Sequence, residues 1–381
     1  MTIPLTANAF LSEQLVELAK QGWDVHLAVS PVDGYQQLLA LEGVHVHPIP
    51  MKRGPSLVAD LRSLVSWLRL IKQLKPNLVV ASTPKAGLLG MLSSRIQKTP
   101  VRLYHVRGLR AEGLEGLMAR ISLFSEKIAI SSATDVLCDS KSLLVKMREL
   151  QLLPSNDGIV LGEGSCCGVD VDRFRPPTSE ERLISRAKLG LGEKDFVIGF
   201  VGRLAIDKGI RELVTAVGLL FRSNPEVKLV LVGPIEQEDV REISTFLREI
   251  ESAPWAILTG PQDDTASSYW AFDLFCSPSY REGFPVAILE AQAAGVPVVT
   301  THATGCTDSI SPGITGLLVD PRDASMLSEA IERLMRDRAL MNSMSNSARE
   351  RTTHQFNKTM VQERFIQYLE PLTLNSGAIG N

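Results

Sequence analysis

Short apolar runs rich in β-branched residues alternate with helical patterns along the whole chain, and this alternation limits the possible folds more than any other feature. In the first half, strands are predicted over residues 23–29, 44–49, 77–81, 101–106, 136–139 and 158–161. In the second half they are predicted over residues 196–201, 228–232, 256–259, 274–277, 296–300 and 316–319. Strands that are apolar throughout, with helices between them, belong to parallel sheets covered on both faces. Two such sets predict an α/β chain with two facing, doubly wound, Rossmann-like domains. The boundary is predicted near Pro176-Pro177, because residues 173–193 are charged and carry no strand pattern. The expected division is residues 1–176, then 192–356, with a last helix in 357–381 packing back on the first domain. A doubly wound domain opens with a strand, but here a helical pattern starts near Phe10, so the first strand is expected to be short or missing.

At 381 residues the chain is long enough for two cores, and its 44% hydrophobic and 22% charged residues exclude a disordered chain. A net charge of -3 gives no reason to expect nucleic acid. The charge is uneven, about +4 over residues 1–177 and about -7 over the rest. A basic first half fits an acidic surface or a phosphorylated partner, and it equally fits ordinary scatter. Five cysteines without a CxxC pair imply no disulfide framework and fit a reducing compartment. No secretory leader or spanning apolar run is read in the sequence.

The segment Ser277–Ala291, SPSYREGFPVAILEA, carries the strongest chemistry. It follows a predicted strand and opens a helix, with Glu282 in the turn and Glu290 on the helix. Gly283 permits close backbone approach, and Pro285 suits a first helical turn. Free N–H groups at a helix start hold anions, so a diphosphate fits at Gly283, Phe284, Pro285 and Val286. Carboxylates on either side accept hydrogen bonds from sugar and ribose hydroxyls. A second segment, GFVGRLAIDKGI, ends a strand at Gly202 and places Arg203 and Lys208 in the following loop. Doubly wound folds bind ligands at that end of the sheet. Read alone, the two cations are equally solvated loop residues. Beside the acidic string they become a pair that neutralises a diphosphate leaving group. A third loop, Thr300–Asp308, suits backbone and hydroxyl contacts to a ligand, and its His302 is read as structure.

In the first half, Ser82–Gly87 and Tyr104–Arg110 lie at the carboxyl edge of the first sheet, expected to face the second domain across a cleft. Lys85, Arg107 and Arg110 make that edge basic, which fits a phosphorylated acceptor or salt bridging. Residues 55–75 read as a basic amphipathic helix with Leu57, Leu61, Leu64, Val65, Leu68 and Ile71 at helical spacing. Lys52, Arg53, Arg62, Arg69, Lys72 and Lys75 flank it. The stripe is expected to pack on the sheet, leaving the basic face for anionic lipid. Asp170-Val171-Asp172 is discounted as a metal site, because no strand and turn frame it. Gly162-x-Gly164 lacks the full dinucleotide spacing.

Together these residues resemble glycosyltransferase family 4, retaining enzymes of the GT-B fold, over nearly the whole chain. The family's E-x7-E element is matched by Glu282 and Glu290, and its basic pair by Arg203 and Lys208. The resemblance implies that Glu290 holds the ribose and Glu282 contacts the donor sugar. It also implies that Arg203, Lys208 and the backbone of Gly283, Phe284 and Pro285 surround the diphosphate. Thr259 and Pro261 match the base-contacting edge. Ser82–Gly90, Arg107–Arg110 and Gly164–Asp170 resemble bacterial members that build capsule or O-antigen on polyprenyl-diphosphate lipids. Many members carry a His where this chain has Arg107, which implies an electrostatic role for Arg107. The implied reaction is hexosyl transfer from a UDP-sugar to a lipid-linked saccharide, without a metal, on the inner face of the cell membrane. Its rivals are a UDP-sugar epimerase of the same fold and an inactive sugar-nucleotide-binding module.

Overall fold

The computed structural model describes residues 1–52, 54, 56–236 and 240–377. Arg53 and Pro55 of the predicted basic helix lie outside the described residues, as do residues 378–381 of the predicted last helix. The chain divides into two compact units, Met1–Cys167 with the segment from Met360 onward, and Gly168–Thr359.

The first unit holds strands β1 (Val25–Val29), β2 (Val44–Pro48), β3 (Leu78–Ser82), β4 (Val101–Val106) and β5 (Asp135–Cys138). They form two parallel sheets, β1-β2 and β3-β4-β5. No strand precedes β1 among the described residues, and a helix starts at Pro4. Residues before it reach β1 and the residue that follows β3: the Met1 amino group donates to the Ala28 carbonyl at 3.1 Å, and the Thr2 and Thr83 hydroxyls meet at 2.8 Å. The strand predicted at 158–161 is replaced by a single bridge between Ile159 and Leu137, because Gly158 and Gly162 at its two ends both have positive φ. The last helix, Lys358–Gly377, buries Phe365, Ile366 and Leu369 against Leu18, Leu103 and Leu137.

The predicted basic helix spans Leu57–Leu74. The expectation that the whole stripe packs inward is corrected for Leu57, Leu61 and Val65, whose side chains are 92%, 62% and 38% exposed. It holds for Ile71, which is buried, and for Leu64, which packs against the same core, with Ser63 and Trp67 buried as well. The Trp67 ring reaches the bare backbone of Gly90 on the Pro84–Ile96 helix, where an added Cβ would lie 3.8 Å from it. The Ser63 hydroxyl donates to the Ala59 carbonyl at 2.8 Å and also meets that of Pro50. The largest apolar ring thus sets the rotation of the helix.

Glu126, on the Gly116–Ser132 helix, is buried and accepts from the Tyr104 hydroxyl at 2.6 Å. Its other oxygen has no hydrogen-bond partner among the described residues. Burial pushes its carboxyl from 4.5 to about 7. The folded chain therefore holds this proton more tightly than the unfolded chain does. The cost of ionising it is absent below about 4.5 and complete above about 7. Glu126→Gln is expected to stabilise the protein at pH 8 by about 3 kcal/mol and to change little near pH 4. Thermal unfolding at both pH values checks this.

In the second unit all six strands are parallel, in the order β11-β10-β9-β6-β7-β8. They are β6 (Phe196–Val201), β7 (Val227–Val232), β8 (Ala256–Gly260), β9 (Leu274–Ser277), β10 (Val298–Thr301) and β11 (Gly316–Val319). Read from β8, this is the doubly wound order, and the order in which strands are added reverses between β6 and β9. Neighbouring residues feed opposite faces. Ile198, Leu229, Leu274 and Val299 join one core, while Val197, Val230, Phe275 and Val298 join the other. The charged 173–193 stretch is not an open linker. It folds into the Ser179–Lys188 helix, started by a Thr178/Glu181 capping box. Arg182 and Arg186 on that helix both bind Asp273, at 2.8 and 2.7 Å.

Candidate functional site

Loops leaving β6, β9 and β10 meet at the carboxyl end of the second unit's sheet. β6 runs into Gly202 and Arg203, then a short 3-10 turn, Ile206–Lys208, then the Ile210–Phe221 helix. Gly209 joins turn to helix at φ 69°, and a Cβ there would lie 2.1 Å from the Pro278 carbonyl oxygen. Only glycine lets the β6 loop press so closely on the β9 loop. Two further contacts join these loops. The Tyr280 amide donates to the Asp207 carbonyl at 2.9 Å, and Arg281 pairs with Asp207 at 3.0 Å.

This pressing brings Lys208 to Glu282, with Nζ 2.5 Å from Oε1. The Ser279 hydroxyl donates to the same oxygen at 2.9 Å. The β10 loop supports Glu282 from the other side, where its amide donates to the Thr304 carbonyl at 2.9 Å. Gly305, at φ 77°, leaves no room for a Cβ, which would sit 2.5 Å from the Gly283 oxygen and 2.7 Å from the Glu282 oxygen. Thr301 donates to the Ser279 carbonyl at 2.5 Å, and Thr300 to that of Ser277 at 2.8 Å. The loop bearing Glu282 is therefore held on both flanks.

The helix after Glu282 is Val286–Ala293, and Pro285 is its N-cap, one place earlier than the first-turn position expected for it. No side chain caps its first amides. Uncapped N–H groups, together with the helix dipole, favour an anion at this end. Phe284 is buried, its ring tilted against that of Phe356 at 5.3 Å between centroids, so only its backbone is available to a ligand. Glu290 lies on this helix and accepts from the Tyr269 hydroxyl at 2.6 Å. Burial pushes the Glu290 carboxyl up, against the opposing effects of Tyr269 and Arg173.

Arg203 pairs with Glu236. Gly202, Gly233 and Gly260 adjoin, because the Gly202 amide donates to Val232 and the Gly233 amide to Gly260, at 2.9 and 3.0 Å. Thr259 sits at the register shift of β8, its hydroxyl 3.0 Å from the Gly260 carbonyl, and Pro261 follows in an exposed loop. His302 is exposed and its amide donates to the Val319 carbonyl. Asp170 accepts from the amides of Asp172 and Arg173, at 3.2 and 3.0 Å, so it closes a turn.

Two family descriptions match the chain, a glycosyl transferase 4-like domain over residues 6–162 and glycosyl transferases group 1 over residues 181–351. The capsular polysaccharide biosynthesis glycosyltransferase CapM of Staphylococcus aureus is 35% identical over 92% of this chain and 90% of its own length. The chain is a family 4 glycosyltransferase. An Escherichia coli UDP-Gal:alpha-D-GlcNAc-diphosphoundecaprenol alpha-1,3-galactosyltransferase is 28% identical over 80% of this chain and 78% of its own. A Campylobacter jejuni N,N'-diacetylbacillosaminyl-diphospho-undecaprenol alpha-1,3-N-acetylgalactosaminyltransferase is 25% identical over 95% of each. Among solved structures, Anabaena HepE in complex with UDP superposes with a TM-score of 0.77 at 20% identity, covering 94% of this chain and 96% of its own. Sucrose-phosphate synthase from Thermosynechococcus elongatus superposes at 0.81 with 23% identity, covering 95% and 92%. These two neighbours place the fold in the GT-B class, built from two Rossmann-like domains.

In this family 4 enzyme the second unit brings together Lys208, Glu282, Gly283 and the start of the Val286–Ala293 helix. Arg107 belongs to the first unit, just after β4. Its three guanidinium nitrogens are buried without a hydrogen-bond partner among the described residues. His105, on β4, is buried and meets Asp139 at 2.6 Å. Burial holds its imidazole low, although Asp139 opposes this. His105 lines a small cavity with Cys138, Gly164, Cys166, Arg364 and Phe365. Lys85 pairs with Asp60 at 2.7 Å, so this part of the basic edge is internally neutralised. Tyr269, Gly305, Thr301 and Asp207 were not singled out in the sequence, although each holds a site segment in place. Gly305 and Thr301 stand in the small polar loop already read as ligand-facing. Tyr269 carried no signal, because a tyrosine in a short helix beside Trp270 reads as core.

Proposed function

We propose that the chain transfers a hexosyl group from a UDP-sugar to a polyprenyl-diphosphate-linked saccharide in cell-surface polysaccharide synthesis, keeping the anomeric configuration. The observation that carries this reading is the Lys208–Glu282 pair beside the uncapped start of the Val286–Ala293 helix. An ion pair there can open to a ligand bearing both charge types. The donor's diphosphate replaces Glu282 as partner of Lys208, and the freed carboxylate accepts from a sugar hydroxyl. Arg203 and the backbone N–H groups of Gly283, Phe284 and Val286 complete the positive surround, so the leaving diphosphate needs no metal ion. Glu290 accepts from the ribose hydroxyls, and the Gly202–Thr259–Pro261 edge faces the base. The names of the relatives, two of which act on undecaprenyl-diphosphate sugars, support the acceptor class. Arg107 supports it too, since a buried guanidinium without a hydrogen-bond partner among the described residues favours an approaching phosphate. The exposed Arg62, Arg69 and Lys72 of the Leu57–Leu74 helix hold the protein to anionic lipid on the inner face of the membrane.

The test is transfer itself. The full chain is incubated with a panel of UDP-sugars and an undecaprenyl-diphosphate-linked saccharide. One UDP-hexose should yield an extended lipid-linked product of unchanged anomeric configuration. Isomerisation of a UDP-sugar without any acceptor would replace this reading with the epimerase.

A further inference from the structure

The Gly116–Ser132 helix of the first unit carries an apolar stripe on its outer face. It packs on the Pro84–Ile96 helix and buries Glu126, Ala129 and Ser132. Over its first half Leu117, Met118, Ile121 and Phe124 are 70%, 41%, 42% and 64% exposed. Their spacing of one, four and seven residues from Leu117 places them on one stripe. The Leu57–Leu74 helix packs on the same Pro84–Ile96 helix and exposes Leu57 and Leu61 at its own start. Each helix leads into a parallel strand, β3 or β5, of one sheet. Both starts therefore stand at that sheet's carboxyl edge, beside Ser82–Lys85 and Arg107–Arg110. The exposed apolar residues cluster where the acceptor-side loops are.

The charges around the stripe identify its partner. Arg120 and Lys127 flank it on its own helix, and Arg62, Arg69 and Lys72 stand on the other, all exposed. Of the acids on these two helices, Asp60 pairs with Lys85 and Glu126 is buried on Tyr104. Glu115, just before the helix, is exposed. An apolar stripe inside a basic surround matches the boundary between headgroups and acyl chains of an anionic bilayer. We propose that Leu117, Met118, Ile121 and Phe124 insert into that boundary while the basic side chains lie on the headgroups. This goes beyond electrostatic attachment by the Leu57–Leu74 helix, because inserted apolar area holds in high salt, where attraction between charges is screened.

The experiment uses the full chain and vesicles of phosphatidylglycerol and phosphatidylethanolamine with brominated acyl chains. In the Phe124→Trp variant, the new indole should be quenched well beyond the wild-type tryptophans, and binding should persist at high salt. The Leu117→Asp/Phe124→Asp double variant should lose vesicle affinity about 100-fold, at about tenfold or more per side chain. Both positions are exposed, so its nucleotide release from donor should match wild type and show that it is folded. No added quenching, or unchanged affinity in the double variant, would overturn the proposal. So would a dimer that these two substitutions dissolve. Vesicle binding is read independently of transfer, so failure of the proposed reaction and failure of this surface are distinguishable.

Discussion

Lys208→Ala is expected to lower the rate of nucleotide release from saturating donor about 10²–10³-fold. The reason is the charge that develops as the bond to the diphosphate breaks. Lys208 is the cation that the β6 and β9 loops bring to the proposed donor site, 2.5 Å from Glu282 and only 18% exposed. A cation in such a shielded place stabilises charge far better than one in bulk water. Its removal also leaves Glu282 with Ser279 as its remaining side-chain partner, so the diphosphate meets an unneutralised carboxylate. Adding Glu282→Gln to Lys208→Ala removes that repulsion and should recover part of the donor affinity but little of the rate. Steady-state kinetics with the rate and the Michaelis constant resolved separately checks this. Equal loss in Lys208→Ala and Lys208→Arg would mean that geometry matters there as much as charge.

Glu290→Ala is expected to weaken UDP binding about 10–100-fold, the loss of one or two charge-assisted hydrogen bonds. Tyr269 holds the carboxylate from one side at 2.6 Å, which fixes the direction of its remaining lone pairs. Tyr269→Phe should therefore weaken binding in the same direction and by less. The pH dependence has a definite sign. Burial raises the Glu290 carboxyl above its ordinary value, so the acceptor form is lost at a higher pH than for an exposed glutamate. UDP affinity should fall as the pH drops from neutral toward 5, and Glu290→Gln should flatten that fall. Titration calorimetry with UDP between pH 5 and 8 measures both effects.

Local patterns were legible in the sequence. The strand at Phe196–Val201 is apolar because both sheet faces are covered, and the spacing from Glu282 to Glu290 places one acid in a turn and one on a helix. Contacts between distant loops were not legible. Gly305 against Glu282, Thr301 against Ser279 and Gly209 against Pro278 depend on β6, β9 and β10 lying side by side, and no local pattern encodes that strand order. The Leu57–Leu74 helix failed differently. Apolar residues cover more than one of its faces, so periodicity alone could not choose the buried one. The fit of Trp67 on Gly90 chose it, and that fit involves residues of two separate helices. The same physics left the stripe at Leu117–Phe124 unremarked, since an apolar helix in an α/β chain reads as core until its neighbours are placed.

The most direct test of the account is nucleotide release from a UDP-sugar in the presence of EDTA, for wild type, Lys208→Ala and Glu290→Ala. The account predicts release by the wild type that EDTA does not diminish, that Lys208→Ala lowers about 10²–10³-fold and that Glu290→Ala lowers when the donor is below saturation. Release that stops when divalent cations are removed, or that survives both substitutions, would contradict a diphosphate held by Lys208, Arg203 and the helix start at Val286.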